Sequence, residues 1–211
     1  MKIVVYGARG TLGQSILREA LARGHQVTAV VRKPESFEGP RQGVKVIKGD
    51  VLDRASVAAA AAGSDVVISA IGPSRDEPPE MLVRAANALV GGVKQAGAGR
   101  LIVVGGAGSL QVAPGKLLMD SPEFPAAWRP VALAHKSALD VYRRAPLDWT
   151  FLSPADRIGP GQRTGGYRTG LEDLVVDANG KSNISVEDFA VALLDEVEKP
   201  AHIRQRFTVA Y

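Results

Sequence analysis

Residues 2–13, Lys2-Ile3-Val4-Val5-Tyr6-Gly7-Ala8-Arg9-Gly10-Thr11-Leu12-Gly13, decide how the rest of the chain is read. Lys2–Tyr6 is a short apolar run that stops at a glycine, the mark of a buried strand. From Thr11 to Arg23 the apolar residues Leu12, Ile16, Leu17, Ala20 and Leu21 recur at helical spacing, and Gly24 ends the pattern. Three glycines, each three residues from the next, occupy the turn between strand and helix.

Working outward, the same alternation repeats. Gln26–Val31 and Val44–Lys48 read as strands, the second followed by Gly49-Asp50. Arg54–Ala62 is an alanine-rich helix closed by Gly63. Asp65–Ile71 reads as the fourth strand, Glu80–Gln95 as a helix, and Arg100–Val104 as a fifth strand closed by Gly105-Gly106. Strands that are nearly continuous in apolar residues and alternate with helices belong to a parallel sheet covered on both faces. The expected class is therefore α/β, a doubly wound Rossmann-type sheet.

After Gly106 the rhythm breaks. Ala107–Pro130 carries four prolines and reads as one long loop, a length that is usually functional. Val131–Arg144 resumes a helix and Asp148–Leu152 a strand. Residues 153–170 are rich in glycine and proline. Leu171–Val176 is predicted as a short strand before a turn at Ala178-Asn179-Gly180. Ser185 opens a helix to about Glu198, with Glu187 and Asp188 suited to its first turn, and Arg206–Tyr211 reads as a last strand. The expectation is one domain over 1–211: a core over 1–155 and a smaller C-terminal extension over 156–211.

Composition narrows the function. The 211 residues are 45% hydrophobic and 23% charged, ordinary for a folded soluble chain. There is no cysteine, which removes disulfides, thiolate nucleophiles and cysteine metal sites. The three histidines, His25, His135 and His202, are too far apart to form a ligand-spaced pair, so no metal is expected. The net charge of +4 is spread without a dense basic run or aromatic interleaving, so nucleic acid is not an expected partner. No signal peptide or membrane-length apolar stretch is read, and a cytoplasmic location is expected. The chain is expected as a monomer or a homodimer.

The glycine loop points to a ligand. At such a turn, Gly7 permits the tight reversal, Gly10 lets backbone approach a pyrophosphate, and Gly13 lets the helix pack against the sheet. Unpaired N–H groups and the positive end of the helix dipole then face phosphate. Nicotinamide dinucleotide is the expected cofactor. A site for NAD(H) usually ends its second strand with an acid that binds the ribose 2′-hydroxyl. Here that strand ends Val30-Val31-Arg32-Lys33, with no acid before Glu35. Arg32, helped by Arg9, suits a 2′-phosphate, so NADP(H) is expected over NAD(H), with use of NAD(H) open.

The glycine loop, Val30-Val31-Arg32 and Gly49-Asp50-Val51 resemble the atypical short-chain dehydrogenase/reductases. Within them, Val103-Val104-Gly105-Gly106-Ala107-Gly108-Ser109-Leu110, Asp148-Trp149-Thr150-Phe151-Leu152-Ser153-Pro154 and the tail from Ala201 to Thr208 are similar to the NADH-flavin reductase group, close to NmrA-like proteins and biliverdin reductase B. The resemblance implies that residues 7–13 (Gly7, Ala8, Arg9, Gly10, Thr11, Leu12, Gly13) hold the pyrophosphate. It implies Asp50 and Val51 beside the adenine, and Ala70, Ile71 and Gly72 along its ribose and the pyrophosphate. Val104, Gly105 and Gly106 would approach the nicotinamide ribose, and Pro154 and Ala155 would close over the nicotinamide. Ser109 falls near the catalytic serine position, and Lys136 fits the lysine of the superfamily's Tyr-x-x-x-Lys pattern.

The tyrosine of that pattern is missing: Ala132 stands four residues before Lys136. Reduction of an isolated ketone develops an alkoxide, and without a positioned acid it should lose roughly 10²–10⁴-fold. Flavins and quinones take hydride into a delocalised system and draw protons from solvent, so holding two rings together suffices. The expected activity is NADPH-dependent reduction of a small conjugated acceptor, a flavin or quinone acting as substrate rather than as a bound group. His135 is a candidate substitute acid, since a free imidazole titrates near neutrality, and Ser109 a candidate hydrogen-bond donor to the acceptor. Phe124, Trp128 and Met119 on the long loop are candidates for an apolar lid. The alternative is a non-catalytic NADP(H) sensor of NmrA-like type.

Overall fold

The computed structural model describes residues 1–74 and 76–211. Along the chain lie β1 (Lys2–Tyr6), α1 (Thr11–Ala22), β2 (Gln26–Val31), β3 (Val44–Lys48), α2 (Arg54–Ala61), β4 (Val66–Ser69), α3 (Met81–Ala96) and β5 (Arg100–Val104). There follow a small hairpin, β6 (Gln111–Ala113) with β7 (Lys116–Leu117), then α4 (Arg129–Arg143), β8 (Trp149–Ser153), β9 (Arg157–Gly159), β10 (Arg168–Gly170), β11 (Asn183–Ser185), α5 (Val186–Glu198) and β12 (Gln205–Ala210).

The main sheet has eight strands in the order β10-β12-β8-β5-β4-β1-β2-β3. Every neighbouring pair is parallel except β10 with β12, which is antiparallel. Because side chains alternate across a strand, Ile3 and Val5 of β1 enter one core while Val4 and Tyr6 enter the other. The first core lies under α1 and α5, the second under α2, α3 and α4. This is the doubly wound Rossmann-type α/β fold, and strands from beyond residue 155 widen the same sheet.

Helix ends follow local chemistry. Asp53 caps α2 by accepting from the Ala55 N–H at 2.9 Å, and Ser185 caps α5 by accepting from the Asp188 N–H at 2.9 Å; each cap contributes about 1 kcal/mol. Asp188 does more than complement a dipole. Its buried carboxylate accepts from Thr164 N, Thr164 Oγ1, Gly165 N and Tyr211 Oη at 2.6–2.8 Å. Burial alone would raise its pKa, but those donors outweigh burial and hold it below the usual carboxylate range. They also pin the glycine-rich segment 160–165 to the start of α5.

Three expectations are corrected. The edge strand is Arg168–Gly170, not Leu171–Val176. Arg168 bonds the carbonyls of Val176 and Tyr211 and so sets the β10 register, while Leu171 and Val176 stay exposed and Gln111 takes the backbone of Glu172 and Leu174. The stretch Ala107–Pro130 is not one loop: it folds into the β6–β7 hairpin and two short 3₁₀ turns, with the Leu118 N–H donating to the Leu110 carbonyl at 2.8 Å. The fourth strand stops at Ser69. Ala70 still donates to the Tyr6 carbonyl at 3.0 Å, and beyond it the chain leaves the ladder at the carboxyl end of this central strand.

Candidate functional site

The strand order turns back between β1 and β4, so the chains leaving their carboxyl ends diverge and open a crevice there. A cavity of about 410 Å³ fills it. Gly7, Ala8, Arg9, Gly10, Arg32, Asp50, Val51, Ala70, Ile71 and Gly72, drawn from four separate stretches of sequence, all line it.

Each glycine of the loop has its own reason. Gly7 has φ +76°, and a Cβ there would lie 2.2 Å from the Ala70 carbonyl oxygen. A Cβ on Gly13 would lie 2.1 Å from the Gly7 carbonyl oxygen, so helix and loop are in backbone contact. Gly10 differs: its added Cβ would meet only the Gly7 oxygen, at 3.4 Å, and otherwise faces the cavity. No side chain caps α1 at Gly10 and no acid sits in its first turn, so its N–H groups remain available to an anion.

These residues fit a nicotinamide dinucleotide. Gly10 and Gly72 leave backbone open on the cavity, and α1 points its uncapped end into it. Among the same lining residues, the Tyr6 hydroxyl is buried without a partner beside Asp50; burial, then the Asp50 charge, push its pKa above the usual range. An orphaned donor and acceptor there suits a polar heterocycle. The Ser69 hydroxyl is buried and unpartnered as well.

Arg32 is 68% exposed on its side chain, yet its Nη1 donates to Glu77 Oε1 at 2.7 Å. Glu77 is held in turn by the Ser74 N–H at 3.2 Å and the Ser74 hydroxyl at 2.9 Å. Its pKa is lowered by the Ser74 hydroxyl first, then by the Ser74 N–H and Arg32. Arg32, Ser74 and Glu77 line the same cavity. Sequence reading missed Tyr6, Ser74 and Glu77; an ion pair spanning 45 residues between a strand end and a distant loop leaves no local pattern.

The remaining expected residues lie outside this cavity's lining. Thr11, Leu12 and Gly13 turn into α1. Gly105 is packed so closely that a Cβ would strike the Phe151 ring at 1.9 Å, and Gly106 faces the His135 ring, 3.0 Å from an added Cβ. His135 is half-buried, and burial lowers its pKa to about 4, so the ring is neutral at pH 7 and no imidazolium stands ready to give a proton. Lys136 is exposed and Pro154 buried. Ser109 is buried, and its carbonyl accepts from Arg206 Nη1 at 2.9 Å. None of Ser109, His135 and Lys136 lines either cavity.

A second cavity, about 1080 Å³, opens where the residues after Pro154 face the 118–128 segment. Phe124, Trp128, Ile158 and Tyr211 supply its apolar walls, and Asp156, Arg157 and Glu123 its charges. Phe124 and Trp128 meet edge to face with centroids 6.5 Å apart. A Cβ on Gly108 would touch the Phe124 ring at 3.4 Å, which ties this wall to the turn following β5. No tyrosine offers this cavity a free hydroxyl: Tyr6 and Tyr142 are buried elsewhere, Tyr167 donates to Asp195 and Tyr211 to Asp188.

Sheet, switch point and glycine cradle together define a dinucleotide-binding Rossmann protein. The chain belongs to the NAD(P)H-binding family, whose model matches residues 7–199, and it lies in the atypical short-chain dehydrogenase/reductase-like group. It is similar to the uncharacterized protein YwnB of Bacillus subtilis (strain 168), 42% identical over 213 residues that cover 99% of this chain and 98% of that one. Among solved structures it is similar to a Burkholderia pseudomallei protein, provisionally described as exported, at 50% identity and TM-score 0.91 over the whole of both chains. A Streptococcus pneumoniae TIGR4 protein, provisionally named an NADH-flavin reductase, is 34% identical with TM-score 0.87, covering 100% of this chain and 99% of that one. Among the described residues no helix is long and apolar enough to cross a membrane, and no group of three or more metal-ligating side chains gathers.

Proposed function

We propose that this protein is an NAD(P)H-dependent reductase, favouring NADPH, that acts on a small conjugated acceptor of the flavin or quinone class. Bound NAD(P)H would supply the hydride. Residues 7–13 would hold its pyrophosphate, Arg32 with Arg9 its 2′-phosphate, Asp50 and Val51 its adenine, and Ala70, Ile71 and Gly72 its ribose. Gly105, Gly106, Lys136 and Pro154 would hold the nicotinamide half.

The observation that carries the acceptor class is the larger cavity. It adjoins the turn after β5, has aromatic walls and a volume suited to a multi-ring molecule, and no tyrosine hydroxyl stands free in it. Phe124 and Trp128 give a planar acceptor faces to pack on. His135 would act from behind Gly106 as a neutral packing ring rather than as an acid, and Ser109 would brace the turn by accepting from Arg206 through its carbonyl. Protons come from solvent, which a delocalised acceptor tolerates. The name of the Streptococcus pneumoniae relative supports the same class.

The test is oxidation of NADPH at 340 nm by purified protein with FMN, riboflavin and a short-chain quinone. Acceptor-dependent turnover is expected; rates no faster than buffer across the panel overturn the proposal. One observation favours a second reading, a non-catalytic sensor: Trp128 and Leu133, at the start of α4, are 60% and 53% exposed, apolar side chains that a protein partner would cover. Tight NADPH binding without turnover would select it.

A further inference from the structure

The second strand ends without an acid, yet an acid stands at its end in space. Glu77 comes from the β4–α3 connection, and its carboxylate meets the guanidinium of Arg32 at 2.7 Å on the wall of the dinucleotide cavity. Two bonds from Ser74 hold it there, so its position does not depend on Arg32 alone.

Arg32 and Glu77 have opposite preferences for what sits between them. A 2′-phosphate gains from Arg32, is repelled by Glu77, and finds the Nη1 of the guanidinium already taken by the Glu77 carboxylate. A 2′-hydroxyl has no such conflict, because it can donate to Glu77 while Arg32 stays paired. We propose that Glu77 sets the choice between the two nicotinamide cofactors: it competes with the 2′-phosphate for Arg32 and accepts from the 2′-hydroxyl, so it does from a distant loop what an acid at the end of β2 does elsewhere. This rests on the reading of the cavity as the adenosine end of the cofactor site, and it makes the chain's preference for NADPH modest.

The size follows from charge. A phosphate monoester carries about −1.5 to −2 charges at neutral pH, and each unit pair a few ångströms apart in water-like surroundings is worth close to a factor of five. Removing the Glu77 charge should therefore tighten a 2′-phosphorylated ligand about ten- to twenty-fivefold. Glu77→Gln keeps the length and the acceptor for Ser74 while losing the charge, and the residue lies on a loop, so the variant is expected to fold.

The experiment is calorimetric titration of wild type and E77Q with NADPH, NADH, 5′-AMP and adenosine 2′,5′-bisphosphate, the last two reporting on the adenosine end alone. The ratio of the NADH to the NADPH dissociation constant should rise by about ten- to twenty-fivefold in E77Q, with the same shift in the nucleotide pair. Ser74→Ala should move both ratios the same way by less. An unchanged ratio overturns the proposal, and so does an equal loss for all four ligands, which would mean that the pair only braces the loop. Failure of wild type to bind any of the four would instead sink the reading of the cavity itself.

Discussion

Gly10 and Gly13 differ by one turn of helix, and alanine at each should fail in a different way. Gly10 has φ −73° and ψ 162°, a conformation open to any residue, and its added Cβ meets only the Gly7 oxygen at 3.4 Å. Gly10→Ala should therefore change stability by no more than about 1 kcal/mol, since the entropy lost from the unfolded chain offsets the weaker N-cap. Its methyl group, however, projects where phosphate must meet the α1 N–H groups. A hydrogen bond to a charged partner is worth about 1.5–3 kcal/mol, so losing one raises the dissociation constant about ten- to hundredfold. Gly13→Ala places its Cβ 2.1 Å from the Gly7 oxygen and 2.7 Å from the Gly7 carbon. Both are backbone atoms that cannot swing aside, so α1 must shift, at about 1–3 kcal/mol of stability. Urea unfolding and NADPH titration of the two variants separate these effects. G10A binding at wild-type affinity with unaltered stability would refute the placement of phosphate on this loop, and G13A unfolding at the wild-type midpoint would refute the packing argument.

Three further outcomes are expected. Arg32→Asp should weaken NADPH binding far more than NADH binding, measured by cofactor fluorescence; equal losses would remove Arg32 from the choice of cofactor. Trp128→Ala should raise the KM for the acceptor about two- to tenfold through loss of the Phe124–Trp128 face while leaving the NADPH dissociation constant unchanged, and a cofactor effect of equal size would contradict the separation of the two cavities. Glu196 is buried with Arg100 and accepts from His202 N at 3.0 Å and His202 Nδ1 at 2.8 Å. Burial pushes its pKa up, but His202 and Arg100 together outweigh burial and lower it. The unfolded carboxyl thus protonates first on acidification, near pH 4.3. The network's stabilisation is complete above that pH and is lost as pH falls through the lower folded value. Glu196→Gln should cost about 3–5 kcal/mol at pH 7 by stranding Arg100, and should flatten the acid limb of stability against pH; an acid limb of unchanged slope would count against this assignment.

Much of the fold was legible in the residues because its signals are local. Strand runs such as Val66–Ser69 and Arg100–Val104 are buried on both faces, so their apolar continuity survives in one dimension. The glycine loop was legible in part for the same reason: the positive φ of Gly7 and the contact of Gly13 with the Gly7 backbone are local demands, whereas the close approach of Gly7 to the Ala70 carbonyl is not. Where the reading slipped, hydropathy and pairing disagreed. Leu171–Val176 is more apolar than Arg168–Gly170, but the ladder to β12 and the bonds of Arg168 decide which segment is the edge strand.

What the tertiary structure alone decided is which distant groups face each other. That Arg32 meets Glu77 across 45 residues, that burial beside Gly106 leaves His135 uncharged at neutral pH, and that the 118–128 segment walls a second cavity against residues 156–164 all depend on separations in space. Hydrophobic period and turn chemistry are set by near neighbours along the chain and can be read there. Charge pairing, desolvation and cavity shape fall off over a few ångströms in three dimensions, and chain order does not record those distances.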